Sequence, residues 1–294
     1  MLSFETRPIG MLAEVTPAKV AQAAQLARTG KTFDLSHVLD EHIPAFPGRT
    51  FRQNLVTSAH QLNRRRPDAG SEGWGENNLN WITEVVYATF QMGTHLDGLN
   101  HLQMGQHFYG GFTLAEIAEE YGTNQLGMET VPQIVTRGVL VNIAALHELD
   151  RLDKGEVITV ADVEEALAAK DLRIERGDAL LFHTGWGNYW AKDNAAYLSG
   201  QPGPGLELAR WMVEQGVVLS GCDTWSFGPV PPENPKRPFE VPQMLNVQHG
   251  MFIVENLDTA ELAKGQLALE FMLILSHARV RGATGAWVAP LAVI

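Results

Sequence analysis

The sequence predicts an α/β protein with a single main domain, and two observations carry that prediction. Strand-like and helix-like segments alternate along the chain, which favours a layered α/β fold. The chain has 294 residues, of which 45% are hydrophobic, and this is enough to form one large core. We therefore expect a peripheral helical segment over residues 1–32 and one domain over residues 33–294.

Each element is assigned from its residue pattern, in chain order. Thr16 and Pro17 begin an alanine-rich helix that Gly30 ends, because threonine caps helices and proline suits their first position. Apolar residues at helical spacing predict two more helices, at 160–172 and 206–216. Apolar, β-branched or aromatic runs predict strands, the last of which is also compatible with a helix. These strands are 33–39, 81–92, 137–146, 177–186, 217–223, 250–257 and 268–280.

Composition and charge exclude several kinds of partner. The formal net charge is −12, with 34 acidic and 22 basic residues, and nucleic-acid binding would need a basic face. No apolar run is long enough to span a bilayer, so no membrane partner is expected. The single cysteine excludes an internal disulfide and makes the cytoplasm the expected location.

The polar stretch 63–80 is expected to be a surface loop.

The stretch QMGTHLDGLNHL, residues 91–102, concentrates potential metal ligands. His95 and Asp97 lie two residues apart, so their side chains leave the same face of an extended segment. Gln91 and His101 return to that point only if the backbone turns, which the two intervening glycines permit. Taken singly, each histidine more often satisfies backbone groups than binds a metal. Their joint spacing with a carboxylate favours a site for a divalent cation.

The segment from Gly93 to His101 resembles the HxGTHxDxPxH signature of the cyclase family of metal-dependent hydrolases. That family includes bacterial kynurenine formamidase, isatin hydrolase and a trans-dienelactone hydrolase. The resemblance implies a mixed β-sheet with a barrel-like core of the swivelling β/β/α type and surrounding helices. Further matches keep the family's order: DLSH (34–37), FPG (46–48), GDALL (177–181), TGW (184–186), GCDT (221–224), IVENL (253–257) and GATG (282–285).

Departures from the family pattern bear on the metal. Gln91 stands where the family has its first histidine ligand, and Asn100 replaces a proline. A further family histidine falls near Gln243, and two-metal members use that histidine with Glu255 to hold a second ion. We therefore expect one divalent ion, manganese before zinc, because amide oxygens are harder donors than imidazole. The predicted ligands are Gln91, His95, Asp97 and Gln243.

The resemblance also implies a reaction. Family members cut a C–N or C–O bond at a carbonyl carbon, and a divalent ion can activate the attacking water at neutral pH. His101 occupies the family's position for the proton carrier, a task that suits an imidazole. Glu255 is expected to bind the metal-bound water or a second ion. The predicted function is a hydrolase that opens a cyclic amide, imide or lactone, or cleaves an aryl formamide.

Aromatic side chains near these motifs are expected to line a pocket for a small cyclic or aromatic substrate, although large aromatics also fill cores. The predicted substrate-binding residues are Phe46, Trp74, Trp81, Trp186 and His249.

Two other functions stay open: a metal-free binding or scaffold protein that kept the fold, and a transferase or isomerase that uses the ion as a Lewis acid. Relatives tend to be dimers or tetramers, so a homodimer or homotetramer is expected.

Overall fold

A computed structural model of the protein describes residues 7–58, 75–79 and 81–294. Its main feature is a mixed sheet of nine described strands, curled into a half-barrel and flanked by helices. This confirms the predicted α/β class and the barrel-like core. The division into residues 1–32 and 33–294 stays a prediction.

The described residues form fifteen strands and eight α-helices, numbered here in chain order. The strands are β1 (Thr32–Asp34), β2 (Phe51–Ser58), β3 (Ile82–Ala88), β4 (His95–Asp97), β5 (Ala118–Glu119), β6 (Gly122–Thr123), β7 (Ile134–Asn142), β8 (Val157–Ile158), β9 (Ala179–His183), β10 (Gly203–Pro204), β11 (Leu219–Cys222), β12 (Phe252–Glu255), β13 (Ala268–Leu275), β14 (Gly285–Trp287) and β15 (Leu291–Val293). The α-helices are α1 (Pro17–Ala24), α2 (Leu114–Ile117), α3 (Ile143–Leu146), α4 (Val160–Ala168), α5 (Asn194–Leu198), α6 (Leu206–Gln215), α7 (Glu240–Gln243) and α8 (Ala260–Ala263).

The large sheet is parallel in its middle and antiparallel on both sides. Its strand order is β1-β15-β13-β7-β9-β11-β12-β4-β14. Strands β7, β9, β11 and β12 run parallel, whereas β4 pairs antiparallel with both β12 and β14. This arrangement puts the first residue of β4, His95, directly opposite the last residue of β12, Glu255.

Helices pack on the sheet and close one hydrophobic core. Helices α1 and α4 contact β7, and α4 also contacts α6. The buried residues of α4 are Val163, Ala166 and Leu167, which share one face of the helix because they are spaced three and four apart. On the sheet, Phe182 of β9 and Phe252 of β12 are fully buried. The parallel middle of the sheet is therefore well buried, and strand β4 adjoins it through β12.

Helix α1 begins as predicted but ends earlier. The Thr16 hydroxyl accepts a hydrogen bond from the Lys19 N–H, as a helix cap does. The helix ends at Ala24, well before Gly30. Lys19 extends to the sheet, where its Nζ lies 2.5 Å from Oδ1 of the fully buried Asp178. This ion pair ties α1 to the residue that precedes β9.

All seven predicted strands are shorter in the structure than the sequence pattern suggested, and residues 143–146 of the predicted strand 137–146 form helix α3 instead. The strand expected over 33–39 is β1, which ends at Asp34 because that side chain accepts hydrogen bonds from both the N–H and the Oγ–H of Ser36. The strand expected over 81–92 is β3, which ends at Ala88 and pairs only with β2. The segment 268–280 forms strand β13 rather than a helix.

Strands β2 and β3 form a two-stranded ribbon separate from the large sheet. Ile82 and Tyr87 of this ribbon are 69% and 72% exposed. Of the predicted surface loop 63–80, only residues 75–79 lie within the described ranges. Among the described helices, none combines the length and the apolar character that crossing a membrane requires.

Candidate metal centre

Three buried side chains from two neighbouring strands meet on one face of the large sheet. His95 and Asp97 lie two apart in β4, so they point to the same side. Glu255 joins them because it lies directly opposite His95 in β12, and opposed residues share a face. Ligand atoms of His95, Asp97 and Glu255 all lie within 4.8 Å of one another. Strand register therefore builds the centre from residues far apart in the chain.

The His95 ring turns a lone pair towards the two carboxylates. Its Nδ1 lies 2.8 Å from the carbonyl oxygen of Gly93, and since a carbonyl only accepts, Nδ1 is the protonated nitrogen. In the neutral ring, Nε2 is then an acceptor. Nε2 lies 3.4 Å from Oδ1 of Asp97 and 3.3 Å from Oε2 of Glu255. Acceptor atoms facing one another in the interior are costly unless a cation lies between them.

The donor set fits a divalent cation. His95 Nε2 and Asp97 Oδ1 are both buried, and neither has a hydrogen-bond partner in the described part of the chain. A cation bound between them would satisfy both atoms and balance the charge of the carboxylates. One imidazole nitrogen with two carboxylate groups is a set that manganese and zinc both accept.

Protons compete with a metal for this site. Burial disfavours the imidazolium of His95, but the two carboxylates beside it, those of Asp97 and Glu255, outweigh this effect and raise the pKa of His95 to about 10. Burial also raises the pKa of Glu255, and the charge of Asp97 adds to this effect. Burial acts on Asp97 too, but His101 and His95 outweigh it and lower the pKa of that carboxyl. Without a metal, the site is therefore predicted to hold a proton on His95 at neutral pH.

Metal binding at pH 7 is expected to release about one proton per protein molecule, because coordination requires the neutral imidazole. A pKa of about 10 means that His95 is protonated in the metal-free protein at this pH. Metal affinity should accordingly rise as the pH rises towards that pKa. Calorimetric titration with MnCl2 or ZnCl2, in buffers of equal pH but different ionisation enthalpy, measures the number of protons. An observed enthalpy that is the same in every buffer would contradict the expectation.

His101 lies at the open side of the centre. Its N–H donates to the carbonyl of Gly98 at 3.1 Å, and this turn brings the ring back towards Asp97. Nε2 of His101 is 3.9 Å from Oδ1 of Asp97, and 24% of the His101 side chain is exposed, whereas His95 is completely buried. His101 can therefore exchange protons with solvent while it remains beside the centre.

Gln91 lies next to the centre. Gly285 of β14 is directly opposite Asp97, and a Cβ atom at that position would come within 2.7 Å of Gln91 Nε2. The Gln91 amide therefore lies over the face of the sheet that carries Asp97. Its Nε2 donates to Oγ1 of Thr284 at 3.0 Å. Its predicted role as a metal ligand stays a prediction.

Gln243 and Trp186 are engaged elsewhere in the structure. Gln243 Nε2 donates to the carbonyl of Gln103 at 2.8 Å, which holds the end of α7 to the segment that follows β4. Trp186 is buried, and its Nε1 donates to the carbonyl of Tyr197 at 3.0 Å. Neither residue is among those that line the cavity described below.

The other predicted substrate-binding residues are scattered. Trp81 is 38% exposed at the start of the β2–β3 ribbon, and His249 is half-buried after a π-helical turn, Met244–Gln248. Neither lines the cavity beside the centre. Trp74 lies outside the described residues.

A cavity of about 210 Å³ opens beside the metal centre. Asp97, His101 and Glu255 line its polar end. Its walls are aromatic, because the rings of Phe46 and Trp225 lie 4.7 Å apart and Phe239 lies 6.1 Å from Trp225. Phe46 therefore lines this cavity, and its predicted role in binding a substrate stays a prediction. The shape suits a flat ring with a reactive group at the polar end.

Six lining residues are not among the predicted site residues: Arg49, Leu102, Trp225, Ser226, Phe239 and Pro242. Arg49 directly follows the FPG segment, and Trp225 directly follows the GCDT segment. Position next to a motif was therefore the available signal for both. Phe239 lies just after a proline-rich stretch, residues 229–238, and nothing in its sequence context pointed to the cavity.

The fold and the centre together define a mixed α/β protein with a buried candidate site for a divalent cation. Residues 33–229, more than half of the chain, match the model of the family described as "Putative cyclase". The chain belongs to this family, which confirms the resemblance seen in its motifs.

Solved structures show the same fold. The chain is similar to a crystal structure described as a novel cyclase, with 28% identity, a TM-score of 0.84, and coverage of 98% of this chain and 94% of that chain. Isatin hydrolase A from Ralstonia solanacearum has 19% identity, a TM-score of 0.63 and 99% coverage of both chains. A "predicted metal-dependent hydrolase" from Bacillus stearothermophilus has 15% identity, a TM-score of 0.55, and coverage of 89% and 97%. The last two similarities show the fold alone. A search of curated proteins gives no significant match.

Proposed function

We propose that the protein is a metal-dependent hydrolase that acts at a carbonyl carbon. The observation that carries the proposal is the group of buried acceptors from His95, Asp97 and Glu255 at the end of an open cavity. The names of two structural neighbours, isatin hydrolase and metal-dependent hydrolase, support it. One divalent ion is proposed, with manganese preferred because most of the donor atoms are oxygens.

Three residues of the centre would hold the ion. When bound, the ion would polarise the substrate carbonyl and provide hydroxide near neutral pH. His95, Asp97 and Glu255 would hold it, and the hydrogen bond from His95 Nδ1 to Gly93 orients the ring. In this proposal Glu255 is a ligand of the same ion, because its carboxylate lies 3.3 Å from His95 Nε2.

His101 would carry the proton. In hydrolysis the water oxygen bonds to the carbonyl carbon, and the C–N or C–O bond breaks. The proton lost by the water passes to His101 Nε2 and from there to the departing nitrogen or oxygen. His101 suits this step because it lies beside Asp97 and is open to the cavity.

The aromatic walls of the cavity indicate the kind of substrate that would fit. Phe46, Trp225 and Phe239 provide flat apolar surfaces beside the centre. A cyclic amide, imide or lactone fused to an aromatic ring would place its ring against them and its carbonyl at the polar end. An aryl formamide has the same two parts.

A panel of four compounds tests the proposal. Isatin, phthalimide, phthalide and formanilide represent a cyclic amide, an imide, a lactone and an aryl formamide. Metal-free protein, and protein loaded with manganese or zinc, are assayed for ring opening or formate release, with metal content measured alongside. We expect turnover of at least one compound that rises with metal content and is lost on chelation. A metal stoichiometry near zero after supplementation would contradict the proposal and favour the metal-free binding function instead.

A further inference from the structure

Arg49 introduces a positive charge into the lining of the cavity beside the metal centre. It directly follows the FPG segment and is half-buried. Its Nη1 donates to the main-chain carbonyl of Gln91 at 2.6 Å, and its guanidinium carbon lies 5.6 Å from the ring centre of Phe46. Its charge favours the ionised forms of both Asp97 and Glu255. Arg49 is therefore close enough to act on whatever occupies the cavity.

Most of the hydrogen-bonding capacity of Arg49 is unused. A guanidinium has five N–H donors, and within the described ranges only Nη1 of Arg49 has a protein acceptor. The remaining donors are left for solvent or for a molecule in the cavity. A planar fork of this kind matches a carboxylate, which can accept two parallel hydrogen bonds from it.

The charge balance of the cavity favours an anion. The charged groups in its lining are Asp97 and Glu255, both acidic, and Arg49, with His101 as the remaining titratable group. A divalent ion that holds a neutral water molecule would neutralise the two carboxylates and leave the charge of Arg49 uncompensated at the stage when substrate binds. A singly charged anion in the cavity would restore neutrality, even though the protein as a whole is acidic.

We propose that Arg49 binds a carboxylate of the substrate, so that the preferred substrates are cyclic or aromatic carbonyl compounds that also carry a carboxylate. The substrate ring packs against Phe46 and Trp225, and its reactive carbonyl lies towards His101. This inference rests on the proposed hydrolase function and names the substrate class for the same site.

The test must distinguish two roles of Arg49: binding a substrate carboxylate, and a purely structural role. The bond to Gln91 could serve only to hold the FPG turn in place. The variant Arg49→Gln removes the charge but keeps an amide that can still donate to the Gln91 carbonyl. Arg52→Gln is the matched control, since Arg52 is exposed on β2, three residues away, and does not line the cavity.

The experiment measures, by calorimetry, the affinity for two probes of equal shape, benzoate and benzamide. The proteins compared are wild type, Arg49→Gln and Arg52→Gln, each in metal-free and zinc-loaded form. We expect wild type to bind benzoate more tightly than benzamide. Arg49→Gln should weaken benzoate binding about 10- to 100-fold, the usual effect of losing hydrogen bonds to a charged group, and leave benzamide nearly unchanged. Arg52→Gln should change neither.

Four results would overturn the inference: no preference of wild type for benzoate, equal weakening of both probes by Arg49→Gln, no effect of Arg49→Gln on either probe, or the same effect from Arg52→Gln. Because all proteins compared carry the same metal load, binding of benzoate to the metal alone would leave Arg49→Gln indistinguishable from wild type, which also overturns it. Metal content and turnover of the compound panel decide the hydrolase proposal separately. The substrate-class inference and the proposed function can therefore fail independently.

Discussion

Asp97→Asn is expected to bind its metal more than a hundredfold more weakly than wild type and to lose nearly all turnover. Asp97 lies inside the group of three donors, with Oδ1 3.4 Å from His95 Nε2. Loss of an outer partner of a metal ligand alone costs about 10- to 100-fold in affinity, so removing a charged member of the centre should cost more. Competition with a chromophoric chelator measures the affinity, and mass spectrometry measures the bound metal.

Asp171→Asn serves as the control for this change. Asp171 is exposed and lies outside both the three-donor group and the lining of the cavity, so its replacement removes the same charge without altering the centre. Its metal affinity and turnover should equal those of wild type, and circular dichroism should show both variants folded. An Asp97→Asn protein that is folded and keeps wild-type metal affinity would remove Asp97 from the centre.

His101→Ala is expected to keep its metal and to lose turnover by about 10²- to 10⁴-fold, the usual contribution of a proton-transfer group. His101 lies outside the three-donor group but borders the cavity, so its loss should affect proton transfer rather than metal binding. Turnover number and metal content are measured on the same preparation. Added imidazole should restore part of the rate, because it can enter the space left by the ring.

His147→Ala is the matched control for His101→Ala. Its ring is 39% exposed and pairs with Asp162 at 3.2 Å, on a different part of the surface. Unchanged turnover in His101→Ala would exclude His101 as the proton carrier. Loss of metal in that variant would instead make His101 a ligand.

Part of the centre could be predicted from local sequence, and part could not. The two-residue spacing of His95 and Asp97 puts both side chains on one face of any strand, so their meeting follows from local geometry. Glu255 is 160 positions from His95, and its place opposite that residue depends on how the whole sheet pairs. Only the family resemblance pointed to it, and the resemblance left open which ion it would bind.

The errors at strand ends have local causes. Asp34 ends β1 because its side chain competes for the backbone and side-chain donors of Ser36, an effect that a count of apolar residues does not include. Strand β3 ends at Ala88, since it belongs to the separate ribbon and not to the sheet that holds His95. Arg49 lies one residue beyond the FPG motif, so the motif by itself does not indicate this residue.

The register of β4 has a consequence for how the protein is made. This short strand lies between β12 and β14, both of which leave the ribosome long after it. The three residues of β4 therefore cannot pair with these two strands until residues 252–287 have been synthesised. During that interval Glu255 is not yet in place beside His95 and Asp97, so the three-donor group is incomplete. We therefore expect selection of an ion at this centre to depend on the finished fold and not on residues 91–102 alone.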